Sequence, residues 1–142
     1  MDIQEAIRTY TRKAVSYYGD AKDEEFFRRL KQKEFVSLRC TRCGKVMFPP
    51  RPVCPECHSG ELEWVNLPRS GTLYAFTQQE KAFRFSAPDV IGLVELEGVG
   101  RIMTKIKGSF EQLGIGMRVE LEFLELDDGS VVHQFRPAGQ KK

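Results

Sequence analysis

No stretch of the sequence approaches the ~20 consecutive apolar residues that a bilayer-spanning helix needs. The N-terminus, Met1-Asp2-Ile3-Gln4-Glu5, has no basic stretch running into an apolar one. A cytoplasmic protein without a membrane partner is therefore expected. An excess of one charge is also missing: 22 lysines and arginines stand against 20 acids, a net of +2, which is a balanced surface rather than a polyanion-binding one. Histidine is scarce, with only His58 and His133. Neither sits in a recognisable nucleophile or acid–base motif, so the chain is not expected to be an enzyme acting alone. Repeats are absent apart from two cysteine pairs. What remains, 142 residues with 41% hydrophobic composition, is enough for one conventional core plus a small appended module.

All four cysteines fall within an eighteen-residue stretch as two Cys-x-x-Cys pairs, Cys40/Cys43 and Cys54/Cys57. In a reducing compartment such clustered thiols are metal ligands more often than disulfides. Each turn presents two thiolates from one tight loop, and two turns complete a tetrahedron, so structural zinc is expected. Iron in a rubredoxin-like site and a redox dithiol pair are the alternatives. Four thiolates leave no open position, which argues against catalytic zinc. His58, next to Cys57, is a fifth candidate ligand, though a solvated surface histidine is the preferred reading.

The apolar residues Ile3, Ile7, Tyr10, Ala14, Tyr17 and Ala21 recur at steps of four and three, predicting an amphipathic helix over 2–21 capped near Gly19. A second helix is predicted from about Asp20, with Asp23, Glu24 and Glu25 early and Arg28, Arg29, Lys31 and Lys33 late, an order that complements the helix dipole. Its buried face holds Phe26 or Phe27, and Leu30. Strands are expected over 35–39, 45–48 and 62–65, with Pro49-Pro50-Arg51-Pro52 a stiff extended link to the second cysteine pair. From Ser70 the texture is β-rich. Five strands are predicted over 72–77, 90–97, 101–107, 117–126 and 131–135, with an Asp128-Gly129 hairpin turn. Val119, Leu121 and Phe123 point inward against outward Arg118, Glu120 and Glu122. Ser109 and Gln112 have capping-box spacing and Gly114 suits a cap, which places a short helix between strands three and four. That is the element order of the OB-fold, a five-stranded, partly open Greek-key barrel. The expected class is α+β, mainly β. Its parts are N-terminal helices over 1–34, a rubredoxin-like zinc ribbon over 35–68, a five-stranded OB-fold barrel over 69–138 and a fraying tail over 139–142.

Several sequence blocks carry a resemblance: Leu38-Arg39-Cys40-Thr41-Arg42-Cys43-Gly44, Phe48-Pro49-Pro50-Arg51-Pro52-Val53-Cys54-Pro55-Glu56-Cys57 and Ser70-Gly71-Thr72-Leu73-Tyr74-Ala75-Phe76-Thr77. They continue through Gly92-Leu93-Val94-Glu95-Leu96-Glu97-Gly98, Ile115-Gly116-Met117-Arg118-Val119 and Phe135-Arg136-Pro137-Ala138. In this order, over about residues 24 to 138, the chain resembles the zinc-ribbon plus OB-fold family long labelled DUF35, whose members are associated with acyl-CoA enzymes. The resemblance implies a non-catalytic accessory subunit of thiolase-like enzymes. In archaeal relatives such a protein bridges acetoacetyl-CoA thiolase and hydroxymethylglutaryl-CoA synthase on the mevalonate route. It makes the loop over 78–89, with Lys81, Phe83, Arg84 and Phe85, the candidate contact for CoA, acyl-CoA or a partner. An apolar wall suits a pantetheine arm and cations suit its phosphates. A solvated barrel loop is the alternative reading, of equal weight, since binding loops are surface loops in either case.

The rival function is single-stranded nucleic-acid binding, a role that both zinc ribbons and OB-folds serve. Charge argues against it: residues 70–142 hold nine lysines and arginines against ten acids, net −1, where a phosphate-tracking barrel is basic. The carboxylates that alternate along 117–126 read as a solvated face rather than an acid–base pair.

Overall fold

In the computed structural model the described residues are 2–3, 22–80 and 89–139. The helix predicted over 2–21 and the loop holding Lys81, Phe83, Arg84 and Phe85 lie outside them, apart from Asp2 and Ile3. Helix α1 (Lys22–Lys31) follows the predicted charge order, with Arg28, Arg29 and Lys31 in its last turn. Glu25 accepts from Arg28 at 2.7 Å and from Arg29 at 2.8 Å, the i,i+3 and i,i+4 partners that a helical surface brings together. Past the helix, Lys33 takes a left-handed φ of 61°. Its N–H reaches Leu30 O, and that of Glu34 reaches Arg29 O, both at 3.0 Å, so the last carbonyls are satisfied. Of the two candidate phenylalanines Phe26 is buried with Leu30, while Phe27 is exposed.

Strands β1 (Val36–Cys40), β2 (Val46–Met47) and β3 (Leu62–Asn66) form an antiparallel sheet in the order β2-β1-β3. The Phe48–Pro49 peptide that follows β2 is cis. Strands β4 (Ser70–Gln79), β5 (Asp89–Leu96), β6 (Gly100–Ile106), β7 (Arg118–Glu125) and β8 (Val131–Pro137) close a barrel in the order β4-β5-β6-β8-β7. All five predicted strands are present, each with shifted ends. Closure relies on a short parallel pairing of β6 with β8, Lys105 opposite Gln134 and Ile106 opposite Phe135. The barrel wall is tight: a Cβ added at Gly71 would lie 2.5 Å from Glu95 O and 2.8 Å from Val94 Cγ1.

Two expectations need correction. The segment before β7 is a single 3₁₀ turn, Phe110–Gln112, and Ser109 makes no side-chain cap bond. One turn has too few orphan donors to hold a capping box, and its C-cap is Leu113 rather than Gly114. Nor is the outer face of β7 fully solvated. Glu122 is drawn against the barrel with Lys107 at 3.4 Å and its side chain 12% exposed. Its Oε2 has no hydrogen-bond partner among the described residues. Glu120 pairs with Arg136 at 3.2 Å. Barrel curvature brings long side chains of neighbouring strands together here, which alternation along one strand does not reveal.

Helix, ribbon and barrel share one hydrophobic cluster. Phe26 and Leu30 of α1, Phe35 before β1 and Leu67 after β3 pack with Leu73, Val94, Ile102, Ile106, Val119 and Phe135 of the barrel. Half-buried beside this cluster lies His133, with ring centroids of Phe48, Phe35 and Phe26 at 5.6, 5.9 and 6.2 Å. Its Nδ1 is 2.8 Å from Thr104 Oγ1. Burial lowers its pKa from the ordinary 6.5 to about 4, because an imidazolium there would lose its water among aromatic rings.

A pH dependence follows. Between about 6.5 and 4 the unfolded chain holds a proton at His133 that the folded chain refuses, so stability is lost as pH falls through this window. The loss reaches about 3 kcal/mol. Urea midpoints measured from pH 7 to pH 4 should fall more steeply for the wild type than for His133→Gln, which carries no titrating ring. Parallel curves for the two proteins would contradict an imidazole held neutral among these rings.

Candidate metal centre

The two cysteine turns have the same build. Cys40 ends β1; its N–H donates to Lys45 O at 2.8 Å and its carbonyl accepts from Gly44 N–H at 2.9 Å. In the second turn the N–H of Cys54 donates to Ser59 O at 2.9 Å and its carbonyl accepts from His58 N–H at 3.0 Å. In both, the residue after the second cysteine has a left-handed backbone, φ 81° at Gly44 and φ 62° at His58. That conformation costs glycine nothing, whereas a side chain's Cβ crowds the carbonyl beside it. His58 is exposed and is not among the clustered ligand atoms, so its part is to complete the turn.

Between the turns the four Sγ atoms lie within 4.8 Å of one another. Cys40 to Cys57 and Cys43 to Cys54 are each 3.5 Å apart, well beyond the ~2.05 Å of a disulfide. A tetrahedral zinc with ~2.3 Å bonds to sulfur needs edges of roughly 3.8 Å, so the four thiols fit such an ion. Backbone N–H groups already favour charge on one sulfur of each pair. The N–H of Cys43, aided by that of Arg42, lowers Cys40 to about 7 against the opposing effect of burial. Cys57, aided by Glu56, lowers Cys54 in the same way. The second sulfur of each pair moves the other way. At Cys43 the Lys45 N–H pulls down, but burial and the neighbouring thiols prevail and push it up to about 12. Cys57 is likewise raised, although Ser59 N–H draws it down. Four crowded sulfurs cannot all ionise alone, and a bound dication removes that conflict. Cys40 and Cys54 are buried, Cys57 half-buried and Cys43 exposed. Around them Leu38 and Met47 form a small apolar cluster against which Leu62 and Trp64 pack. Four sulfur ligands give a closed site that holds shape and has no place for a substrate.

Elsewhere the described residues show no competing centre. A cleft of about 630 Å³ runs between the first cysteine turn and the barrel, with Lys45, Ser70, Thr72, Glu97 and Arg118 among its walls. Arg118 is held by Ser70 Oγ at 3.0 Å, and these walls hold no histidine or cysteine to act as base or nucleophile. Sequence reasoning singled out no residue on the outside of β5 and β6. There Arg101 lies 3.5 Å over the Tyr74 ring and Met103 is among the exposed large hydrophobics. The only advance signal was a methionine on the polar side of an alternating strand.

A four-cysteine ribbon joined through a common core to a five-stranded OB barrel defines the class of the protein. Residues 27–63 match the family model described as the ChsH2 rubredoxin-like zinc ribbon domain, and residues 64–124 match the ChsH2 C-terminal OB-fold domain. The chain belongs to the DUF35 family. It is 33% identical over 120 residues to a DUF35 domain-containing scaffold protein of Methanocaldococcus jannaschii, covering 78% of this chain and 85% of that one. With the benzoylsuccinyl-CoA thiolase subunit BbsA of Thauera aromatica it shares 33% identity over 72 residues, half of each chain. A probable enoyl-CoA hydratase alpha subunit of Thermomonospora curvata is 34% identical over 116 residues. The match takes in 80% of this chain, which spans about a third (36%) of that longer relative. Among solved structures, a chain of the Ltp2-ChsH2(DUF35) aldolase superposes with a TM-score of 0.74 at 32% identity, over 83% of this chain and 95% of that one.

Two outcomes test the metal centre. Cys54→Ser, purified without chelator, should retain well under one equivalent of metal by elemental analysis, and full occupancy would contradict a four-sulfur site. His58→Gly relieves the left-handed side chain by about 1 kcal/mol. It should therefore withstand a competing chelator better than the wild type, whereas faster metal loss would show that the histidine itself supports the turn.

Proposed function

We propose that this protein is a non-catalytic accessory subunit of a thiolase-like acyl-CoA enzyme, with structural zinc holding its ribbon in shape. The observation that carries this reading is relatedness along both modules to scaffold proteins and to subunits of acyl-CoA enzymes, joined to a metal site without an open position. The described residues offer surfaces rather than reacting groups. Both histidines are otherwise engaged, one in a turn and one in the core.

The finer form of the proposal has the subunit bridge a thiolase and hydroxymethylglutaryl-CoA synthase in the cytoplasm, on the mevalonate route. The loop carrying Lys81, Phe83, Arg84 and Phe85 then contacts CoA or the partner. This loop joins β4 to β5, where Gln79 pairs with Asp89. In OB-folds the loop between the first two strands borders the ligand-binding face.

The test mixes the zinc-loaded chain with each purified thiolase-like enzyme of its own cell and follows them by size exclusion with light scattering. CoA is then titrated by calorimetry into the chain alone and into any complex. A stable complex, with CoA bound more tightly there than by the chain alone, is expected. No complex with any such enzyme, together with salt-sensitive retention of single-stranded DNA, would replace the proposal by nucleic-acid binding.

A further inference from the structure

We infer that the outer face of β5 and β6 is a protein-docking face, whose occupant is an apolar protein surface bearing a carboxylate. Resting on the accessory-subunit reading above, this occupant is the acyl-CoA enzyme itself. Val90, Val94 and Leu96 of β5 and Ile102 and Ile106 of β6 are buried in the barrel core. The alternate residues Ile91, Leu93 and Met103 belong to neither hydrophobic cluster and stand on the other side of the wall. Strand register sets Ala75, Leu93 and Met103 in one row across β4, β5 and β6. At its end Met103 is 68% exposed.

The rim of this patch decides what it suits. Toward one end Lys105 pairs with Asp89 at 2.7 Å, and the carboxyl side chain is 4% exposed. Toward the other, a bulge between Leu73 and Ala75 accompanies Tyr74, which is 42% exposed. The Arg101 guanidinium lies 3.5 Å over its ring. Glu95 comes no closer to Arg101 than 4.0 Å, beyond hydrogen-bond range. Among the described residues Arg101 therefore stacks without donating a hydrogen bond, and its planar fork is held ready for a carboxylate. Little further side-chain entropy is lost when it binds, since the ring already fixes it. An apolar centre with Met, Tyr and Arg around it has the make-up of a protein interface core. A single-stranded nucleic acid would want bare aromatic faces and uncompensated cations. Here the guanidinium covers the one exposed aromatic of the patch, and each cation has an acid beside it, Lys105 with Asp89 and Arg101 with Glu95 at 4.0 Å.

The experiment uses the full zinc-loaded chain and the purified thiolase-like enzyme found to bind it, with affinities from calorimetry. Met103→Glu and Arg101→Glu should each weaken binding about tenfold or more. Ile115→Glu, at a 75% exposed residue in the loop before β7, should leave affinity unchanged. Unchanged circular dichroism and metal content establish that each variant is folded, and Arg101→Ala repeats the rim test without a new charge. Wild-type affinity in both Met103→Glu and Arg101→Glu would overturn the docking face while leaving the accessory role standing. If the wild type binds no such enzyme, both inferences fall. Loss in these variants of binding to a single-stranded oligonucleotide, or of a self-association seen in the wild type, would assign the face to a different occupant.

Discussion

The structure depends on aromatic packing around one uncharged imidazole. Phe26 comes from the helix, Phe35 and Phe48 from either side of the ribbon's first two strands, and all three surround His133 of β8. Phe35 also meets Phe135, deep in the barrel, at 6.2 Å. Backbone bonds lock the junction from both sides: Leu67 N–H donates to Phe35 O at 2.9 Å and Lys107 N–H to Phe135 O at 2.8 Å. The ribbon's own buried cluster is only Leu38, Cys40, Met47 and Cys54, too little apolar area to hold a fold of its own. Its stability must come from coordination on one side and from the shared junction on the other. Trp64 packs against both clusters, with the Arg29 guanidinium 5.0 Å over its ring.

This arrangement separates holding shape from meeting partners. The four sulfurs suit a closed coordination shell and the imidazole is packed among aromatic rings, so both suit holding shape. The described surface carries mixed and mostly compensated charge: Lys105 with Asp89, Arg136 with Glu120, Lys107 with Glu122. Such surfaces discriminate by shape and by a few fixed groups rather than by long-range attraction. The accessory role proposed above would be well served by such surfaces.

Much of the fold was legible because its signals are local. A β-rich texture punctuated by glycines located all five barrel strands, and Asp128-Gly129 made the predicted turn, with φ 82° at Gly129 and Ser130 N–H on Asp128 Oδ1. The capping-box spacing at Ser109 misled, since the same residues serve a single 3₁₀ turn. Periodicity left Phe26 and Phe27 undecided because both lie near the apolar side of α1, and only contact with Phe48 and His133 buried the first. Glu122 read as a solvated outward residue, yet its strand pairs it opposite Gln134, which is buried.

The sequence by itself determined the four-cysteine cluster, the order of the described elements and the balanced charge, since each rests on spacing or composition that no partner strand can alter. The four cysteines needed no tertiary information to be recognised, because a Cys-x-x-Cys turn sets two sulfurs side by side before anything else folds. Tertiary structure alone decided that His133 is packed among three phenylalanine rings, that His58 takes a backbone conformation suited to glycine, and that Tyr74, Leu93, Arg101 and Met103 share one face. Tyr74 and Arg101, 27 positions apart, became neighbours there through strand register and barrel closure. Those are properties of how the sheet pairs and curls, which no single strand encodes.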